Sequence, residues 1–170
     1  MVLERGTPRD SIRIAIPIRI GKKQSIALEK IKMEKDFSRF LIKEYKHWSV
    51  YIHENQSYLG RCVVWCKRDE ALDLADATTE EQEELFLVLR DLREAAEKIF
   101  EPDKFNYSFL GNETHHLHCH FVPRYARPKI FMDVVFEDKL YGHNYKTDNS
   151  FQTSPELLIA VRDKYIEALK

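Results

Sequence analysis

Apolar and polar positions change their period several times along this chain, and each change marks an element. Trp48 to Ile52 and Leu59 to Trp65 are dense in apolar residues and read as strands, with Glu54-Asn55-Gln56-Ser57 as their hairpin connection. Upstream, Ser11 to Ile20 places isoleucine at every second position around Pro17, the pattern of an extended or edge strand. Met1 to Asp10 reads as a loose terminus. Lys35 to Tyr45 carries Phe37, Phe40 and Leu41 at helical spacing.

The longest periodic stretch begins at Thr78 and Thr79, which head capping boxes with Glu81 and Gln82. Leu85, Leu89, Leu92, Ala96 and Ile99 then form one helical stripe, and Glu101-Pro102-Asp103 ends it. Phe105 to Leu110 and His116 to Val122 follow as two strands joined at Gly111-Asn112. Ser154-Pro155-Glu156 opens a final helix with apolar positions Leu157, Val161, Tyr165 and Leu169. Strands, a long helix and more strands in that order predict an α+β fold, a mostly antiparallel sheet with helices packed on it.

Composition narrows the function classes. The chain has 170 residues, 44% hydrophobic and 32% charged, with only five glycines, which suits one globular domain with extensions. A net charge of −1 argues against a nucleic-acid partner, because neutralising a phosphate backbone needs a basic surplus; a small anion needs only a local positive pocket. There is no apolar run of about 18 residues and no signal-peptide h-region, so neither a membrane partner nor export is expected. Cys62, Cys66 and Cys119 are odd in number and sit in apolar strand patterns, as buried free thiols in a reducing cytoplasm would.

The chemistry concentrates in His115-His116-Leu117-His118-Cys119-His120-Phe121-Val122-Pro123-Arg124, which holds four of the seven histidines. On a strand, His116, His118 and His120 project from one face, spanning about 13 Å. Hydrogen-bonded surface histidines, a metal site and nucleophilic attack at phosphorus by the central ring all fit that row. The metal reading lacks a Cys-x-x-Cys pair or a His-Glu-x-x-His helix to complete the ligand set.

Histidine, apolar, histidine, apolar, histidine, apolar, apolar is the signature of the histidine-triad (HIT) superfamily, and His116 to Val122 resembles it throughout. Leu110-Gly111-Asn112 and Leu59-Gly60-Arg61-Cys62-Val63-Val64 are similar to further family segments, and Asp138 to Tyr145 resembles the tail of one prokaryotic subgroup. The resemblance divides the chain into an N-terminal extension (1–33), a HIT domain (34–145) and a C-terminal helical extension (146–170). It implies a nucleotidyl hydrolase or transferase that cleaves the α-phosphate linkage of a dinucleoside polyphosphate or nucleoside phosphoramidate. His118 would be the nucleophile, and a backbone carbonyl would fix its tautomer. His116 and His120 would contact phosphate oxygens, and Asn112 would supply an amide to the phosphate region. Adenine is the favoured base, a homodimer the usual assembly, and no cofactor is required, although magnesium can accompany the substrate. The alternative is a zinc-binding or non-catalytic nucleotide-binding module built on the same histidines.

Several positions depart from the family pattern or stand beside it. The loop before the triad is Asn112-Glu113-Thr114-His115, which leaves the leaving-group acid unassigned. Lys67-Arg68-Asp69 lacks the histidine that many members carry there and reads as a surface change. His53 and Asn55 precede the Gly60 strand, where some members place a ribose or phosphate contact. Arg124, after a strand, reads as a rim salt bridge.

Overall fold

The computed structural model describes residues 38–170, so the segments 1–10 and 11–20 read above lie outside the described residues. Five strands form one antiparallel sheet: β1 (Leu41–Glu44), β2 (Trp48–Ile52), β3 (Cys62–Cys66), β4 (Lys104–Ser108) and β5 (His118–Arg124). Their order across the sheet is β1-β2-β3-β5-β4. Helices α1 (Thr79–Phe100) and α2 (Pro155–Ala168) pack with it, and β6 (Lys129–Phe131) and β7 (Val134–Phe136) make a separate hairpin. This is the expected α+β class. No helix of the described residues is long and apolar enough to cross a membrane.

The period-two pattern decides which face holds the core. On β3, Cys62, Val64 and Cys66 are buried while Val63 and Trp65 are only half-buried. Across the ladder Val64 pairs with Cys119 and Cys62 with Phe121, and these join one apolar cluster with Leu85, Val88, Leu92, Ala96 and Phe100 of α1. The three thiols are therefore free and buried, as expected. The other face carries Val63 opposite His120 and Trp65 opposite His118.

The helix start is fixed by charge as well as by its cap. Thr78 is the N-cap, and its hydroxyl and the Glu81 carboxylate form the reciprocal capping box. Glu81 is buried, and Arg68 Nε and Nη2 reach it at 2.8 and 3.0 Å. The guanidinium holds the Glu81 carboxyl down at about 2. Arg68, read from sequence as surface, thus anchors the helix that backs the sheet.

Three boundaries differ from expectation. Over the described part of the predicted helix at 35–45, residues 38–45, there is instead a single turn, Ser38–Phe40, leading into β1. Phe40 and Ile42 are both buried, a period-two pattern, and pairing with β2 overrides the short helical spacing. The β2–β3 connection is longer than the expected four residues, because Leu59 and Gly60 belong to a turn and the strand starts at Cys62. Finally, β5 begins at His118 rather than His116 and runs on to Arg124.

Gly60 lies at φ +80°, and a Cβ there would stand 2.9 Å from the Tyr165 hydroxyl and 3.0 Å from the Phe100 ring. Tyr165 of α2 donates to the Gly60 carbonyl at 2.8 Å, so the turn before β3 is pinned by the C-terminal helix. α2 belongs to the same compact unit as the sheet, with Leu157, Val161 and Tyr165 buried.

Arg124 is fully buried, which corrects the rim reading. Its Nε meets Asp138 at 2.6 Å, and its other nitrogens reach Asp138, Leu140 O, His143 O and Asn106. A buried pair survives only when its remaining donors are also satisfied, and here the tail after β7 supplies Leu140 O and His143 O while β4 supplies Asn106. The tail that resembles a prokaryotic subgroup is consequently a packed strap around Arg124.

Candidate active site

Trp65 organises the histidine cluster. Its ring stacks on His116 at 4.2 Å between centroids and 16° between planes, and on His118 at 5.5 Å and 21°. His118 and His120 are edge-to-face at 4.9 Å. All three rings therefore lie on the sheet face away from α1, as alternation predicts. They do not form an evenly spaced row, however. His116 sits in the bend before the strand, and the other two lean together more closely than the about 6.6 Å of strand rise between them.

Hydrogen bonding assigns the tautomers. His118 Nδ1 lies 2.7 Å from the His116 carbonyl, which can only accept, so Nδ1 carries the proton and Nε2 presents a lone pair. That carbonyl is available because His116 lies outside the ladder. His118 Nε2 is 3.2 Å from His120 Nε2, so the His120 nitrogen is the donor of that pair. His116 Nε2 lies 2.7 Å from the Cys66 carbonyl and donates to it. The donor the family resemblance assigns to phosphate is thus held by the backbone. Among the described residues no group of three or more His, Cys, Asp and Glu side chains is arranged to hold a metal ion.

Burial keeps the flanking imidazoles neutral. His120 is pushed down to about 4, by desolvation first and then by the charge of Arg61. His53, whose ring lies 6.0 Å from His120, is pushed down to about 3 by the same two causes. The Asn55 amide donates to His53 Nδ1 at 3.0 Å, placing the His53 proton on Nε2. His118 is buried between its neighbours, with its free Nε2 toward His120.

Asn112 is exposed, as are Glu113, Thr114 and His115, on the loop between β4 and the triad. Arg61, Trp65 and Tyr145 had no assigned role in the sequence. For Arg61 and Trp65 the signal was alternation, since Arg61, Val63 and Trp65 fall two apart and share the face of His118 and His120; Tyr145 comes from the tail and had no such signal. A surface depression lies elsewhere, on the α1 side of the sheet, lined by Phe86, Leu89, Arg90, Arg93, Tyr107 and Phe109 among others.

A protein-family model, the HIT domain, matches residues 34–127, more than half of the chain. A comparison with curated protein sequences gives no match. Among solved structures, a zinc-bound histidine triad family protein from Mycobacterium smegmatis superposes with a TM-score of 0.58 at 20% identity, covering 84% of this chain and 91% of the other. A Hit-like protein involved in cell-cycle regulation from Bartonella henselae gives 0.57 at 19% identity over 76% and 86%. Plasmodium falciparum diadenosine triphosphate hydrolase gives 0.54 at 13% identity over 76% and 75%. At these identities the likeness establishes the fold.

Proposed function

The chain belongs to the HIT-domain family, and on that footing we propose that it is a nucleotidyl hydrolase or transferase in which His118 attacks the α-phosphorus of a nucleotide. The observation that carries this reading is the 2.7 Å contact between His118 Nδ1 and the His116 carbonyl. It leaves Nε2 unprotonated and aims it from a rigid strand.

In the first step the Nε2 lone pair bonds to phosphorus and the bond to the leaving group breaks, a P–O bond in an anhydride or a P–N bond in a phosphoramidate; the group departs with the electron pair and takes any proton it needs from solvent. His118 keeps its Nδ1 proton, so the nucleotidyl-imidazole carries positive charge, which the His116 carbonyl dipole stabilises. The His120 Nε2–H that meets His118 Nε2 transfers its hydrogen bond to a non-bridging phosphoryl oxygen, offsetting the charge that builds there. Water or a phosphorylated acceptor then displaces His118 and regenerates its lone pair. No metal is needed for these steps, although magnesium can accompany a polyphosphate.

The favoured substrates are dinucleoside polyphosphates and adenylated phosphoramidates; a diadenosine triphosphate hydrolase shares the fold. The apolar depression formed by Phe86, Leu89, Tyr107 and Phe109 is the surface on which a second copy would pair to give the expected homodimer.

A zinc site is the weaker reading, because among the described residues no group of three or more His, Cys, Asp and Glu side chains is arranged to hold a metal ion. The test is a turnover screen over dinucleoside polyphosphates, nucleoside phosphoramidates and sugar nucleotides, with His118→Ala alongside. Turnover by the wild type with a loss of at least about a thousandfold in the variant is expected. Equal turnover by both proteins contradicts the proposal.

A further inference from the structure

Arg61 is 4% exposed and has no carboxylate partner among the described residues. Burying a guanidinium without a counter-charge is expensive, and folded chains rarely retain one without a use for it. The contrast is internal, since the other fully enclosed arginine, Arg124, has Asp138 and a full set of acceptors.

Three buried side-chain atoms lack a hydrogen-bond partner among the described residues: Arg61 Nε, His120 Nδ1 and Tyr145 Oη. They belong together. Arg61 precedes Val63 by two residues on β3's face, and Val63 pairs with His120, so Arg61 and His120 are diagonal neighbours about 7–8 Å apart at the backbone. The Arg61 guanidinium carbon lies 5.7 Å from the centre of the Tyr145 ring. Its charge also disfavours protonation of both His53 and His120.

A roof covers this cluster. Arg61 Nη1 donates to Thr147 Oγ1 at 2.8 Å. The rest of the 145–148 segment is tied to the β2–β3 connection by longer contacts, Tyr58 Oη to Lys146 O at 3.2 Å and the Asp148 amide to Ser57 Oγ at 3.4 Å. Asn55 adds a bond to Asp148 O at 2.9 Å.

We propose that Arg61 is the substrate's anion anchor: with His120, and under the Tyr145–Thr147 roof, it binds phosphoryl oxygens beside the group His118 attacks. The ligand class is a phosphate mono- or diester carrying at least one negative charge. This rests on the nucleotide reading above and extends it to a residue outside the triad. An anion on Arg61 pairs the buried cation and, by cancelling its charge, removes the second of the causes that disfavour a proton on His120, after desolvation. His118, His53 and Arg61 are the titratable or charged groups around His120 that take part in this coupling.

The full-length protein is titrated calorimetrically with AMP, adenosine and inorganic pyrophosphate, comparing wild type, Arg61→Gln and Arg61→Lys. Losing a charge-assisted contact is expected to weaken AMP and pyrophosphate about 10- to 100-fold in the Gln variant, with adenosine unchanged and partial recovery in the Lys variant. Wild-type affinity for AMP and pyrophosphate in a folded Gln variant overturns the proposal. Should that variant not fold, the wild-type imidazole resonances decide. Pyrophosphate must shift the His120 signals, and unmoved signals overturn the proposal. AMP binding through Arg61 in a protein that forms no His118 adduct from diadenosine triphosphate supports the anchor and defeats the reaction. An adduct with unchanged binding in Arg61→Gln defeats the anchor alone, and a wild type that binds neither AMP nor pyrophosphate defeats both.

Discussion

His118 Nε2 and His120 Nε2 lie 3.2 Å apart, and the carbonyl that holds the His118 proton at Nδ1 makes His120 the donor of that pair. The resting site thus stores its nucleophile against the group that later serves the phosphoryl oxygen. Nothing needs to be deprotonated for attack. Substrate has only to redirect one N–H.

Trp65 is the platform that sets the angle of this pair, because His116 and His118 both stack on it. Trp65→Ala is expected to lower kcat by about 10- to 100-fold through misplacement of the attacking nitrogen, with a smaller change in KM. Steady-state kinetics on the best substrate from the screen checks this, and an unchanged kcat removes the platform role.

Gly60→Ala meets two obstacles at once, a left-handed backbone and contacts of 2.9 and 3.0 Å with Tyr165 and Phe100. Destabilisation of about 2–4 kcal/mol is expected, read from urea unfolding midpoints. A variant as stable as wild type shows that the turn is not pinned by α2.

Acid should destabilise the fold through His53 and His120. Their folded values lie at about 3 and about 4, below the ordinary 6.5 of an unfolded histidine. The unfolded chain binds more protons between those limits, so stability rises with pH there. It is full above pH about 6.5 and is lost as pH falls through about 4 for His120 and about 3 for His53. Thermal melts at pH 7.0, 5.5 and 4.5 should show a falling Tm, and the fall should shrink in His53→Phe. A slope unchanged by that substitution assigns the acid sensitivity to other groups.

The sequence made much of the fold legible where period and caps agreed. The capping box at Thr78 and the proline-headed helix at Ser154 stand where expected. The triad's shared face followed from strict alternation. Other features were hidden because distant partners decide them. Leu41–Glu44 is a strand only because β2 offers it a ladder, and Arg124 is buried only because a tail 14 residues later returns with Asp138. The β6–β7 turn places Met132 and Asp133 at positive φ without a glycine to announce it. The His116 carbonyl was out of reach for a related reason: whether it is free depends on where the ladder starts, and one sequence fixes that only to within a few residues.

A covalent bond between His118 Nε2 and a nucleotide's phosphorus is the step on which the proposed chemistry depends. The protein is mixed with diadenosine triphosphate, quenched within the first turnovers in alkaline denaturant, digested and mapped by mass spectrometry. The account predicts an adenylyl group on the peptide carrying His118, absent from His118→Ala and discharged on longer incubation with water. Rapid hydrolysis of the same substrate with no modified histidine at any quench time, or with His118→Ala still active, contradicts it.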